Sequence, residues 1–447
     1  MTAPLQTWRA TLASFDGGVR AEIDIARPDK LRFWRDRDWA AMPPAISRGA
    51  GLSYAAASFG TGTISIEHGY YNRLIAFDEQ SGELTVEAGA DLWTCQRFLL
   101  GRGFFLPCHP GHGRITIGGC VATEVHGKNP WRDGSFSAQV RGLTLLHPDH
   151  GLLTLSRDKD PDLLALTCGA FGLTGHILTV TLGARPLRAP GLMLVRRSFA
   201  TAAEAFADLH ATVQTADFAY SWHDLSSRHG THFVFAATAD LNVSAFDIAG
   251  MDEAPPLAAA NERWLPASAY NRVSLRAINA AYLYKTRRFS RAQPIGILEA
   301  LFPIHGSEVY FSLYGRRGFH EYQALVPAAL AASFVDDVRA RARKRGVTIA
   351  LCSAKAFAGE GRFIRFAGDG IAIAFNYPRG GAATELMADI DALLIEAGGK
   401  PNIVKDSRLP AAIARACYPE LDGFRAELRR FDPKRRIRSS LSERLEL

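Results

Sequence analysis

Paired cysteines are missing from this 447-residue chain. Its six, Cys95, Cys108, Cys120, Cys168, Cys352 and Cys417, are scattered without a CxxC spacing, which speaks against a zinc site and a disulfide framework and fits a reducing compartment. "HPGH" (109–112) and "HPDH" (147–150) lack a third ligand at useful spacing, and the proline after each first histidine prevents a shared helical face, so both read as turns and no metal is expected. No window is apolar for the ~20 residues that a spanning helix needs. The start, "MTAPLQTWRATLASFDGG", has neither the basic opening nor the apolar core of a signal peptide, so a soluble, cytoplasmic protein is expected. Repeats and low-complexity tracts are also absent. With 47% hydrophobic and 22% charged residues, the composition excludes a largely disordered chain. The net charge of +7 comes without a nucleic-acid-binding motif. The basic clusters at 339–346 and 427–438 therefore read as solvated faces, and no nucleic acid partner is expected.

The length favours two domains, or one divided by an insertion. From Ala45 to Leu187 the texture is short strands, glycine turns and brief helices. Within it the pattern predicts a strand over 84–88, a helix capped by Asp91 and ending near Gly101, a strand over 104–106, and a hairpin turning at His147–Gly151. "GARPLRAPGL" (183–192) marks a boundary. Beyond it come longer helices: one starting at a Thr201 cap, one between Pro327 and Gly346, and one ending at Gly398. The proline- and alanine-rich passage 245–293 is expected to contain a long mobile loop.

Three segments are rich in glycine: "RGAGLSY" (48–54), "GGCVATEVHGKNPWRDGSF" (118–136) and "GAFGLTG" (169–175). Glycine removes the side chain that keeps a diphosphate away from the backbone, and consecutive N–H groups in such turns form an anion-binding concavity. The Rossmann fingerprint fails, because "GAGLSY" lacks the third glycine and does not open a long helix after a strand. The second segment adds His126, Lys128 and Asn129, polar groups that a turn does not require. His176, on an apolar strand, reads as a structural histidine.

Together with "VEAGADL" (86–92), "PGHGRITIGGCVATEVHGKN" (110–129) and the tail "VKDSR…YPEL…FDPKRRIRSSLSERLEL", these segments resemble the vanillyl-alcohol oxidase type flavoproteins, and within them most the decaprenylphosphoryl-β-D-ribose 2-oxidase family. The resemblance implies an α+β fold of two domains: an FAD-binding domain over 1–188, completed by 400–447, with a substrate domain of antiparallel sheet and helices, 189–399, inserted between them. It implies that FAD is lined by Arg48, Gly49, Ala50, Gly51, Leu52, Ser53, Tyr54, Pro110, Gly111, Gly118, Gly119, Thr123, Val125, Gly172 and Ile177. Leu52 stands where many members carry the histidine that bonds the flavin, so noncovalent FAD is expected. Lys128, Trp222, Glu321, Gln323 and Lys355 are implied on the substrate side. Lys405, expected on a strand, and His126 compete as the base, an ion pair of Lys405 with Asp406 or another nearby carboxylate being its structural alternative.

The implied reaction is oxidation of a secondary hydroxyl of a sugar or polyprenyl-phosphosugar to a ketone by hydride transfer to flavin N5. A short-chain reductase is the implied partner for an epimerisation. An aldonolactone or alditol oxidase using O₂, and a non-catalytic carbohydrate-binding relative, are the rival readings. Ala374, Leu301 and Glu321 replace a cysteine, a tyrosine and a glutamine of the mycobacterial pattern, which leaves the sugar open. The basic, aromatic stretch 280–302 is a candidate contact with an anionic membrane surface, at the inner face of the plasma membrane.

Overall fold

The computed structural model describes residues 5–227, 230–243, 265–288, 292–303 and 309–447. Two sheets lie before residue 184. A four-stranded mixed sheet runs in the order Trp8–Ala13, Arg20–Ala26, Ile64–Glu67, Ala45–Arg48. A five-stranded antiparallel sheet runs in the order Leu74–Asp78, Glu83–Glu87, His176–Gly183, Val140–His147, Gly151–Ser156. The predicted hairpin is its last pair, paired from Gly142↔Ser156 to His147↔Gly151. The helix Leu92–Leu100 is capped as expected: the Asp91 carboxylate accepts from Thr94 N, satisfying a first-turn donor.

Residues 191–401 supply one eight-stranded antiparallel sheet. Its central strands Leu351–Phe357, Gly370–Pro378 and Phe319–Val326 are neighbours in that order. Successive side chains of a strand point to opposite faces, and the two faces differ sharply here. One carries Cys352, Ala354, Ile371, Ile373, Phe375, Tyr322 and Ala324, which pack in one core with Phe334, Val335, Leu386 and Ile390 of helices Ala331–Lys344 and Gly381–Glu396. The other carries Lys355, Ala374, Glu321 and Gln323, in register as Lys355↔Ala372 and Gln323↔Ala374. The helices cover one face and leave these polar groups on the other.

The tail forms helices Ala411–Cys417, Leu421–Phe431 and Ser440–Arg444. Leu441, Leu445 and Leu447 are buried in the same core as Ile46, Ala55 and Ala57, and Ser440 N donates to Phe59 O at 2.8 Å. The end of the chain is thereby fixed against residues 45–60. The "HPDH" histidines hold it too: His150 Nε2 bonds Phe431 O at 2.7 Å and His147 lies 3.7 Å from Asp432. No group of three metal-ligating side chains occurs among the described residues.

Within 245–293, the passage expected to contain a long loop, residues Arg272–Arg288 form a helix, a state that their alanine, leucine and arginine content favours, and 244–264 lie outside the described residues. One expectation is corrected. Lys405 stands on no strand. Strand Lys400–Pro401 pairs for only two residues and gives way to the 3₁₀ turn Ile403–Lys405, because the Asn402 side chain caps the turn by accepting from Val404 N.

Candidate functional site

A cleft of about 1030 Å³ runs between the glycine-rich segments. Its walls are largely backbone. At Gly49 a Cβ would sit 2.1 Å from Thr116 Oγ1, and at Gly118 a Cβ would sit 2.9 Å from Ala88 Cβ and 3.1 Å from Ala88 O. Gly51 and Gly172 adopt φ of +71° and +81°, where a side chain is strained. Glycine at these four positions lets three chain segments meet and present main chain to the cleft. Among the described residues, the amides of Ala50, Gly51, Leu52 and Ser53 donate to no other group, which leaves a run of free N–H donors of the kind that binds a diphosphate.

All the residues expected around the cofactor line this cleft save Arg48 and Gly111. The Arg48 guanidinium lies against Gly51, bonded to Ser58 Oγ at 2.9 Å and 3.6 Å from Glu67. Sequence reasoning missed Ser47, Ala57, Ser58, His68, Ala88, Ile115, Thr116, Ala122, Phe171 and Gly175, and also Val404, which lies beside the expected Lys405 on the cleft wall. Phe171 and Gly175 lie in the glycine-rich run 169–175, and Thr116 carries a cap signal just before two glycines: its hydroxyl accepts from Gly119 N. His68 and His176 meet through Ser47 Oγ, at 3.0 and 2.9 Å, and burial pushes them down to about 4 and about 3, so both are neutral.

At the Tyr54 end the cleft reaches a polar cluster on the face of the large sheet opposite helices Ala331–Lys344 and Gly381–Glu396. Lys405 Nζ lies 4.1 Å above the Tyr54 ring and 3.3 Å from Glu321 Oε1. Asn376 Nδ2 donates to the other Glu321 oxygen at 2.9 Å. Burial, reinforced by Glu321, pushes the Tyr54 hydroxyl well above its ordinary range. The alternative pairing of Lys405 with Asp406 is not formed: Asp406 accepts from Arg408 Nη2 at 2.8 Å and from the amides of Arg408 and Leu409. The nearby carboxylate is Glu321, which is therefore committed to Lys405 and Asn376.

Lys355 is half-buried on strand Leu351–Phe357. Burial and the charge of Lys405 bring it down to about 8, against the pull of Glu321. His126 is buried, its ring 4.8 Å from Phe357 and its Nε2 3.2 Å from Gln323 Nε2. Burial, then the charges of Lys355 and Lys405, hold it well below 6.5. Lys128, also buried, donates to Leu301 O at 2.6 Å, and burial followed by Lys355 lowers it well below the lysine range. Thus His126, Lys128, Glu321, Gln323, Lys355 and Lys405 share one electrostatic neighbourhood. Trp222 pairs with Ser353, two residues before Lys355 on the same face of the sheet, and packs on Phe233 and Tyr282, with ring centroids 5.9 and 5.1 Å away.

Residues 40–156 match the FAD binding domain family. Over 418 residues the chain is 26% identical to the decaprenylphosphoryl-beta-D-ribose oxidase of Mycolicibacterium smegmatis, covering 90% of this chain and 89% of that one. It is 29% identical over 368 residues to an uncharacterised Streptomyces coelicolor protein from the mprA 5' region, covering 77% and 96%. A third likeness, 33% over 129 residues, is to the mitochondrial D-2-hydroxyglutarate dehydrogenase of Arabidopsis thaliana, covering 28% of this chain and 23% of that one. The glycine walls and free amides fit the cofactor that the matched family binds.

Proposed function

The chain is an FAD-dependent oxidoreductase of the vanillyl-alcohol oxidase type, and from that premise we propose that it oxidises a secondary hydroxyl of a sugar or phosphosugar to a ketone. The observation that carries this reading is the gathering of Lys405 and Lys355 about the Glu321 carboxylate, with a neutral His126 and Lys128 within reach of the Lys355 charge. Such a set polarises hydroxyls and offsets anionic groups on a substrate. The likeness to an oxidase named for a decaprenylphosphoryl ribose supports the sugar class. The departures at Leu301, Ala374 and Glu321 argue for a sugar of its own. On this reading residues 1–188 with 400–447 hold the cofactor, and 189–399 supply the substrate side.

Bound FAD supplies the two-electron acceptor for the hydride leaving the carbinol carbon. The protein's task is the proton and the charge. Lys405, fixed between Glu321 and the Tyr54 ring, steadies the alkoxide as it develops. Lys355, brought down to about 8, takes the hydroxyl proton, since a base works best with a pKa near the operating pH. The rate of flavin reduction by substrate should therefore rise with pH and level off above about 8. Lys355→Met should lose that limb, and an unchanged profile would remove Lys355 from the proton step.

Leu52 offers no atom to bond the flavin, so the cofactor is held noncovalently. Acid precipitation should release all yellow colour to the supernatant, after which anaerobic screening of reconstituted protein with sugars, aldonolactones and prenyl phosphosugars should find bleaching in the sugar or phosphosugar arms. Bleaching only by aldonolactones or alditols, with rapid reoxidation by O₂, would replace the proposal. A short-chain reductase acting on the ketone would complete an epimerisation. A contact with anionic lipid would involve the stretch 280–302, whose residues 289–291 lie outside the described set, as do the side chains of 285–288. No described helix is long and apolar enough to cross a membrane.

A further inference from the structure

Asn402 lies between the two candidate catalytic groups, and its hydrogen bonds follow from one backbone donor. The Val404 N–H can only donate, so the Asn402 atom 3.2 Å from it is Oδ1. The Asn402 amide nitrogen therefore faces Gln323, and it donates to Gln323 Oε1 at 2.7 Å. The Gln323 amide nitrogen then points at His126 Nε2, 3.2 Å away. An amide nitrogen offers no lone pair, so His126 Nε2 accepts and its proton resides on Nδ1, where Gly127 O lies at 3.3 Å. All three side chains are buried, at 6%, 6% and 9% exposure, which keeps water from substituting for a partner. The backbone reinforces the arrangement, because Asn402 N donates to Gln323 O at 2.8 Å and Lys405 N to Asn402 O at 3.0 Å.

We infer that Asn402 is a positioning residue that sets the tautomer of His126 through Gln323. The lone pair on His126 Nε2 is spent inside the protein, so His126 serves as a fixed, neutral wall and the proton step falls to lysine. The turn that places Lys405 beside Tyr54 also silences the competing base. The consequence for catalysis rests on the proposed function; the tautomer does not, and can be read without any substrate.

The test is ¹⁵N spectroscopy of FAD-loaded protein labelled at histidine, with His126 assigned by loss of its signals in His126→Gln. The parent should show His126 protonated at Nδ1. In Asn402→Asp the carboxylate still accepts from Val404 but cannot donate, so Gln323 must turn over and present Oε1 to the ring. The proton should move to Nε2. Gln323→Glu presents an acceptor to the ring directly and should give the same shift, deciding the matter alone if Asn402→Asp fails to fold. An Nε2 proton in the parent, or an Nδ1 proton retained in a folded variant, overturns the inference. Failure to find a sugar substrate would leave this result untouched.

Discussion

Lys405→Ala is expected to purify with its FAD and to lose flavin reduction by substrate about a hundred-fold or more, the usual scale of a group acting on charge and proton in the transition state. The side chain contributes one end of an ion pair with Glu321 and a cation over the Tyr54 ring, while most of the cleft wall is built by other residues, so binding of the cofactor should survive. A second signature follows from its neighbours. The charge of Lys405 helps bring Lys355 down to about 8, while Glu321 pulls the other way. Removing Lys405 takes away the lowering charge and frees Glu321, so the Lys355 pKa rises and the pH limb of whatever reduction remains moves to higher pH. Near-normal anaerobic reduction in yellow protein would sink the assignment. A reduced rate with an unmoved pH limb would separate Lys405 from Lys355.

Gly118→Val should abolish stable retention of FAD. Any Cβ at this position meets Ala88 Cβ at 2.9 Å and Ala88 O at 3.1 Å, and Gly118 N is itself bonded to that carbonyl at 2.8 Å, so neither partner has room to withdraw. Overpacking of this kind costs about 1–3 kcal/mol, and every ~1.4 kcal/mol passed on to binding is a factor of ten. The expected outcome is a ten- to hundred-fold weaker Kd by FAD titration, on the order set by that cost, with a low ratio of flavin to protein absorbance after gel filtration. Gly423→Ala is the control, since Gly423 lies in helix Leu421–Phe431 with nothing within 4 Å of its added Cβ. Full occupancy in Gly118→Val would show that the wall at Ala88 yields.

The local elements were readable because their signals are local. Asp91 and Thr201 each cap a helix by accepting from the amide three residues on, and Gly346 and Gly398 follow helix ends at φ of +71° and +63°, so a short window holds the whole cause. Lys405 is expected on a strand because it lies where the chain returns to the FAD-binding domain. The Asn402 cap and the two-residue pairing of Lys400–Pro401 decided otherwise. The helical tail was passed over for a related reason: its three helices are short, and short helices owe their stability to packing that a window cannot show.

By itself the sequence determined the cleft's chemistry. Glycines at 49, 51, 118 and 172 permit backbone approach whatever surrounds them, and leucine at 52 provides no nucleophile in any fold. Which charges meet was decided only by tertiary structure. Glu321 and Lys405 are 84 residues apart and pair at 3.3 Å because strand Phe319–Val326 runs beside Lys400–Pro401. Lys355, His126 and Lys128 take their lowered pKa values from burial and from one another's charge. Burial and charge proximity belong to the folded chain, since both depend on distances through space that no spacing along the sequence encodes.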